Sequence, residues 1–287
     1  MALAQRGRHF TRFRHASERV LNVLYRGNWP ARLLARLPGV NRVRVETHGL
    51  PLLPPGCPRL RLAFVSDLHL GPTTSRPLVE RAFARLAEAR PDVLLLGGDY
   101  VFLQVRAEQE RALSRLVRSV RAPVVAAVLG NHDLWTDHAR LEAALAEAGA
   151  QVLVNQALRL PTPWAQVALA GLDEPWSGQA DAQGMLRACG DASLIITICH
   201  SPEAINVLGA GRVGLLLCGH THGGQLALPG PRPLVLPPGA ACRPYAFGLH
   251  HVGGTHLWVS RGLGNTEVPL RTFAPPDVGI FDLRAPA

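Results

Sequence analysis

The 287-residue chain contains no lysine: all 30 of its basic residues are arginine, whose planar, weakly hydrated guanidinium suits phosphate contacts. Acidic residues are also scarce, 21 in all, which leaves a formal net charge of +9. The excess is local. Residues 1–50 carry ten Arg against two Glu, a difference of +8, whereas residues 51–287 carry 20 Arg against 19 acids, a difference of +1. Long apolar runs are missing too. No stretch approaches the roughly 18 uninterrupted apolar residues of a membrane span. The short run from Val20 to Leu24 is broken by Asn22 and followed by Tyr25-Arg26-Gly27-Asn28, and no adjacent arginine pair precedes it, so the expectation is that the chain is not translocated. Cysteine is sparse and odd in number. Cys57, Cys189, Cys199, Cys218 and Cys242 contain no C-x-x-C, so neither a disulfide framework nor a zinc knuckle is indicated, and a reducing, cytoplasmic setting fits. With 47% hydrophobic and 18% charged residues, the composition is that of a globular protein, not a disordered, collagenous or coiled-coil chain.

What is present begins with the arm. Phe10, Phe13, Val20, Leu21 and Leu24 recur at helical spacing with Arg12, Arg14, Arg19 and Arg26 between them, and Trp29, Leu33, Leu34 and Leu37 extend the apolar surface. Such a helix lies in a bilayer interface with its arginines on anionic headgroups, or packs on the body with a solvated basic face. Pro54-Pro55-Gly56 reads as a linker, which divides the chain into a basic amphipathic arm, 1–50, and a domain, 51–287.

From residue 60 apolar runs of strand length alternate with amphipathic helices. The runs are Leu62–Val65, Val93–Leu96, Val124–Leu129, Leu194–Ile198 and Val213–Leu217. The helices carry Val79, Phe83 and Leu86 after a cap at Ser75, then Leu113, Leu116, Val117 and Val120, then Leu141, Ala144, Leu145 and Ala148 before Gly149. This alternation predicts an α/β fold with a mainly parallel sheet. The Pro- and Gly-rich stretches 150–175 and 226–287, with runs at Val167–Ala170, Leu257–Ser260 and Val278–Leu283, predict a second sheet packed on the first.

Each of the five runs ends in residues that carry chemistry. They are Ser66-Asp67-Leu68-His69, Gly97-Gly98-Asp99, Gly130-Asn131-His132-Asp133, Cys199-His200 and Gly219-His220-Thr221-His222. Ligands of open α/β sheets bind beyond the carboxyl ends of the strands, so these segments are expected to converge. Their Asp, Asn and His side chains bind divalent metals, and seven donors besides His132 exceed what one four-coordinate ion needs. Two ions sharing a bridge would use them all. The two-residue spacing of Asp67 with His69, and of His220 with His222, is expected to place each pair on one face of an extended segment. Asp133 reads as a loop-fixing neighbour, Cys199 and Cys218 as core thiols, and His250, His251 and His256 as surface residues. Arg261 is left open between a phosphate clamp and a loop stabiliser.

Together the five blocks resemble the calcineurin-like metallophosphoesterase superfamily, whose pattern is D-x-H, G-D, G-N-H-(D/E), a lone His and G-H-x-H. The resemblance implies a four-layer sandwich of two mixed β-sheets flanked by helices. It also implies a dinuclear site in which Asp67, His69 and His222 hold one divalent metal (Mn, Fe, Zn or Co), Asn131, His200 and His220 hold the other, and Asp99 bridges. A metal-activated hydroxide would then cleave a phosphodiester or pyrophosphate bond, with His132 as general acid. Some relatives carry an Asp three residues after the G-D aspartate to pair with that imidazole; here Phe102 stands there. Gly223-Gly224-Gln225, Gly171-Leu172-Asp173, and Ser260-Arg261-Gly262-Leu263-Gly264 followed by Pro269, Arg271 and Pro275-Pro276-Asp277 are similar to a bacterial membrane-associated branch that includes the UDP-2,3-diacylglucosamine hydrolases of lipid A synthesis. That likeness implies a lipid-linked substrate and a peripheral location on the inner face of the cytoplasmic membrane. The alternatives are a nuclease or cyclic-nucleotide phosphodiesterase, or an inactive scaffold on the same fold. Against a nucleic-acid partner, the body lacks a basic excess and the arm's apolar stripe does not suit a duplex.

Overall fold

The computed structural model describes residues 7–37 and 41–286, so the parts of the arm and domain at 1–6, 38–40 and 287 lie outside the described residues. The strands are β1 (Arg44–Leu50), β2 (Leu60–Val65), β3 (Val93–Leu96), β4 (Val124–Ala127), β5 (Gln151–Val152), β6 (Gln156–Arg159), β7 (Val167–Gly171), β8 (Leu194–Ile198), β9 (Leu215–Cys218), β10 (Ala227–Leu228), β11 (Arg232–Pro233), β12 (Gly248–Val252), β13 (Thr255–Val259) and β14 (Asp277–Leu283). The helices are α1 (Arg12–Leu24), α2 (Trp29–Arg36), α3 (Arg76–Ala89), α4 (Ala107–Ser119), α5 (Asn131–Leu134), α6 (His138–Glu147), α7 (Ala182–Ala188) and α8 (Ala204–Leu208).

Two six-stranded mixed sheets form, in the orders β1-β14-β2-β3-β4-β5 and β12-β13-β9-β8-β7-β6. The runs feeding β2, β3, β4, β8 and β9 are apolar throughout because both faces of each sheet are covered. Along β2, Leu62 and Phe64 face Ile196, Leu217 and Trp258 between the sheets, while Ala63 and Val65 face Val79 and Phe83 of α3. The outer face of the second sheet packs on Met185 of α7 and Ile205 of α8, which completes four layers, α/β/β/α. Phe64 is fully buried, and truncation there to Ala would cost about 3–5 kcal/mol.

Several expectations are corrected. The five runs divide between the sheets: β2, β3 and β4 in the first, β8 and β9 in the second. The tail does not stay in the second sheet either, because β14 returns to the first and pairs antiparallel with β2 through Phe281 opposite Leu62. Runs buried on both faces read alike in either sheet. The arm does not end at residue 50, since β1 pairs in parallel with β14 from Arg44↔Asp277 to Leu50↔Leu283. Pro54-Pro55-Gly56 is accordingly a turn inside the body, anchored by the buried Leu53, whose N–H donates to Arg284 O. Ser75 stands at the N-cap of α3 but does not cap it with its side chain; its hydroxyl donates to Asn41 Oδ1 instead. Among the described residues, no helix is long and apolar enough to cross a membrane.

Candidate dinuclear metal centre

The carboxyl ends of the two sheets meet along one edge, and the loops there are laced by backbone bonds. Asp67 N–H donates to Gly98 O at 2.9 Å and Gly219 N–H to His200 O at 2.8 Å. His200 Nδ1 donates to Gly97 O at 2.8 Å, which leaves Nε2 facing the site. This contact ties the second sheet to the first.

The spacing of two works here by another route than strand alternation. Asp67, His69, Asp99, His220 and His222 all lie in the left-handed region, with φ of 55, 42, 55, 71 and 53°. Each such residue costs about 1–2 kcal/mol, and their gathering at one spot marks a backbone bent for a purpose. Two glycines allow the bends to meet. Gly98 has φ +89°, and a Cβ on Gly219 would stand 2.0 Å from Ser66 Oγ and 2.2 Å from Asp67 Oδ2.

The donors converge tightly. His222 Nε2 is 3.4 Å from Asp67 Oδ1 and 3.1 Å from His69 Nε2, and ligand atoms of Asp67, His69 and His222 all lie within 4.8 Å of one another. Asp99 sits between groups: its Oδ2 is 3.5 Å from His69 Nε2 and 3.2 Å from His200 Nε2, while its Oδ1 accepts the His132 N–H at 2.9 Å. His220 Nδ1 is 3.3 Å from His200 Nε2. Asn131 is buried, and its Oδ1 has no hydrogen-bond partner. The structure thus brings all seven predicted residues to one place, with His132 beside them.

Electrostatics suit cations. Burial pushes His69 down to about 4 and His220 to about 3, so both rings are neutral at pH 7 and can offer lone pairs. Burial also drives His222 well below its ordinary range. Against the same burial, the carboxylates of Asp99 and Asp67 push His200 up to about 10. Burial raises Asp67 to about 6, partly countered by His200. Two buried carboxylates, four imidazoles and an orphaned amide oxygen form a mixed N/O donor set that fits Mn, Fe, Co or Zn.

Around this set lies a cleft of about 290 Å³ whose walls include Trp135, Trp176, Val235 and Glu267. Asp133 is not among the donors. Its carboxylate accepts from the N–H groups of Asp99, Tyr100 and Gly130, which fixes the loops. Arg261 stabilises a loop: it pairs with Asp277 at 2.7 Å and lies over the Phe247 ring. Cys199 and Cys218 are core thiols pushed well up by burial. His251 is exposed, and His250 and His256 are half-buried on the edge hairpin β12–β13.

Two arginines escaped the sequence reading as site residues. Arg271 Nη2 lies 3.0 Å from His222 Nδ1, and its other contacts go to the carbonyls of His222, Arg261, Gly264 and Ala274. These contacts hold the outer edge of the His222 ring and leave its Nε2 facing the site. Arg14 reaches the cleft from α1, its Nη2 3.3 Å from His132 Nδ1. Loops 49 and 118 residues away in sequence leave no local pattern to find.

The calcineurin-like phosphoesterase family model matches residues 60–224, more than half of the chain. The chain is 32% identical over 242 residues to phosphodiesterase YaeI of Escherichia coli, covering 82% of this chain and 86% of that protein. It is 30% identical over 238 residues to the uncharacterized metallophosphoesterase YkuE of Bacillus subtilis, covering 82% of each. It is also 31% identical to a Danio rerio transmembrane protein with metallophosphoesterase domain, over 83% of this chain and 55% of that protein. The chain belongs to the calcineurin-like phosphoesterase family and is a metal-dependent phosphoester hydrolase.

Proposed function

We propose that Asp67, His69 and His222 hold one divalent cation, that Asn131, His200 and His220 hold a second, and that Asp99 bridges them. The observation that carries this reading is the convergence of these donors where the carboxyl ends of both sheets meet. When bound, two cations supply charge that neutralises the developing phosphoryl oxyanion and acidifies water. The protein's own groups do the rest. Ser66 Oγ donates to Asp67 Oδ2 at 2.6 Å and His220 N–H donates to the same carboxylate, which holds it in place. His132 lines the cleft and acts on the departing oxygen as a hydrogen-bond donor. The rings of Trp135 and Trp176, with Val235 opposite, exclude water from the reacting bond.

The substrate favoured is an amphiphilic phosphate, a phosphodiester or pyrophosphate linked to lipid, met at a membrane surface. In support, α1 is inverted. Its inner face is polar, with Arg14 and the buried Glu18 turned to the body, whereas Phe13, Val20 and Val23 are 84%, 64% and 76% exposed beside Arg12, Arg19 and Arg26. Leu24, Trp29 and Leu33 continue the exposed apolar surface. Of the sequence stripe, Phe10 and Leu21 turn inward half-buried and Leu34 of α2 is buried. An apolar face with flanking arginines that the body leaves uncovered fits an anionic bilayer. The test is a Mn²⁺-supplemented panel of an aryl phosphomonoester, bis-p-nitrophenyl phosphate and a lipid-linked pyrophosphate. Turnover of the diester or pyrophosphate is expected; no turnover of any of the three with Mn²⁺, Zn²⁺ or Co²⁺ would overturn the reading.

A further inference from the structure

We infer that Arg14, brought to the cleft by α1, is the positioning residue of His132, on the Nδ1 side of the imidazole where Phe102 offers no polar partner. The inference rests on His132 acting in the phosphoester reaction as proposed above. Phe102 is fully buried with its ring 5.7 Å from the His132 ring and offers no hydrogen bond. The imidazole is boxed by His69 at 4.8 Å and Trp135 at 5.1 Å, both ring to ring. Among these neighbours, the polar group at Nδ1 is the guanidinium of Arg14, with Nη2 at 3.3 Å.

The guanidinium is itself held on every side. Nη1 donates to Glu267 Oε1 at 2.5 Å, Nε donates to Glu18 Oε1 at 3.2 Å, and the group lies over the Trp135 ring at 4.9 Å from its centre. Tyr25 Oη donates to Glu267 O at 2.5 Å, which ties the end of α1 to the same loop. Residues 14, 18, 21 and 25 form the inward face of the helix, so the contact is a property of the face and not of one flexible side chain.

The chemistry differs from a carboxylate–imidazole pair. Arginine has no acceptor, so Nδ1 must accept, and the neutral ring carries its proton on Nε2. His132 therefore offers the cleft an N–H donor of fixed tautomer, and the fixed positive charge beside it belongs to Arg14. No covalent step is added. The arm is on this account part of the catalytic apparatus as well as a surface element.

The experiment uses the full chain with Arg14→Met, which keeps the aliphatic stem against Trp135, together with His132→Ala and the double variant. Kinetics are read on bis-p-nitrophenyl phosphate with Mn²⁺, and ¹⁵N NMR on histidine-labelled protein with Zn²⁺. Arg14→Met is expected to lower kcat about 10–30-fold with KM changed less than about threefold, part of the range a positioned donor supplies. In the His132→Ala background the same change is expected to cost less than about twofold, because it acts through the ring. Guanidinium ion at about 50 mM is expected to restore part of the Arg14→Met loss and nothing in His132→Ala, as for a donor to one ring nitrogen. In the wild-type chain the Nδ1 resonance of His132 is expected to be that of an unprotonated nitrogen, and to shift in Arg14→Met. Full additivity of the two substitutions, or an unchanged His132 nitrogen resonance, would assign Arg14 to fastening α1 alone and overturn the proposal. A wild-type chain inactive on every phosphoester would strike the phosphoester reading instead, and the nitrogen resonances would still decide whether Arg14 holds the ring.

Discussion

Asp133 Oδ2 accepts the backbone N–H of Asp99 at 2.7 Å, so the loop after β4 holds the loop after β3 through a carboxylate that reaches neither cation site. The same side chain accepts from Gly130 N at 3.0 Å and Tyr100 N at 2.9 Å. Asp133→Ala leaves three buried N–H groups without a partner and is expected to cost about 2–4 kcal/mol. Hydrolysis should fall about 100-fold as Asp99 drifts, by roughly the penalty of a 1 Å misplacement. Thermal unfolding and kcat/KM measured together check both parts; a variant as stable and active as the wild type would contradict this role.

Gly219 tests the close approach of the two sheets. A methyl group there would meet Ser66 Oγ and Asp67 Oδ2 at distances no side chain tolerates, and both are buried. Gly219→Ala is expected to displace Asp67 and lower kcat at least about 100-fold, while overpacking costs about 1–3 kcal/mol of stability. Activity retained within threefold would show that the loop has room.

The inverted helix makes a separate prediction. Replacing Phe13, Val20 and Val23 together with Ser removes exposed apolar area without touching Arg14 or Glu18. The variant is expected to lose sedimentation with phosphatidylglycerol vesicles and to keep its turnover of a water-soluble diester. Equal vesicle binding by both proteins would contradict the membrane reading. Loss of a dimer in solution without loss of vesicle binding would assign the face to a second copy of the chain.

Away from the site, Arg61 grips Asp282 with Nε at 2.8 Å and Nη2 at 3.1 Å. These hydrogen bonds hold the Asp282 carboxyl below its ordinary range. A depressed folded value means that the stabilisation is complete above the unfolded carboxylate value of about 4 and fades as pH falls through the folded value. Asp282→Asn is expected to cost about 0.5–1 kcal/mol at pH 7 after solvent screening, and progressively less as the pH falls below about 4. Denaturant unfolding across that pH range checks the sign; a loss that grows toward acid would contradict it.

The seven proposed ligands stand out in the sequence because each follows an apolar run, where nothing in core packing calls for Asp, Asn or His. Their grouping in space needed two facts that periodicity does not carry. β8 and β9 look no different from β2 and β3 in residue type, yet they lie in the other sheet. The left-handed turns at Asp67 and His220 are imposed by the site, since neither residue prefers that conformation to the extent glycine does. Arg14 and Arg271 stayed hidden because a side chain that reaches across the fold leaves no mark at its own position. The helical stripe of the arm was visible, but which face turned outward depended on Arg14 finding Glu267, far along the chain.

The most direct measurement is the metal content of the wild-type chain and of Asp99→Asn, determined on folded, purified protein alongside hydrolysis of bis-p-nitrophenyl phosphate. Two divalent ions per wild-type chain are expected, with occupancy reduced in Asp99→Asn and turnover lowered by at least about 100-fold, as befits loss of a bridging carboxylate. One ion or none in an active wild-type enzyme, or full activity in Asp99→Asn, would contradict the dinuclear assignment.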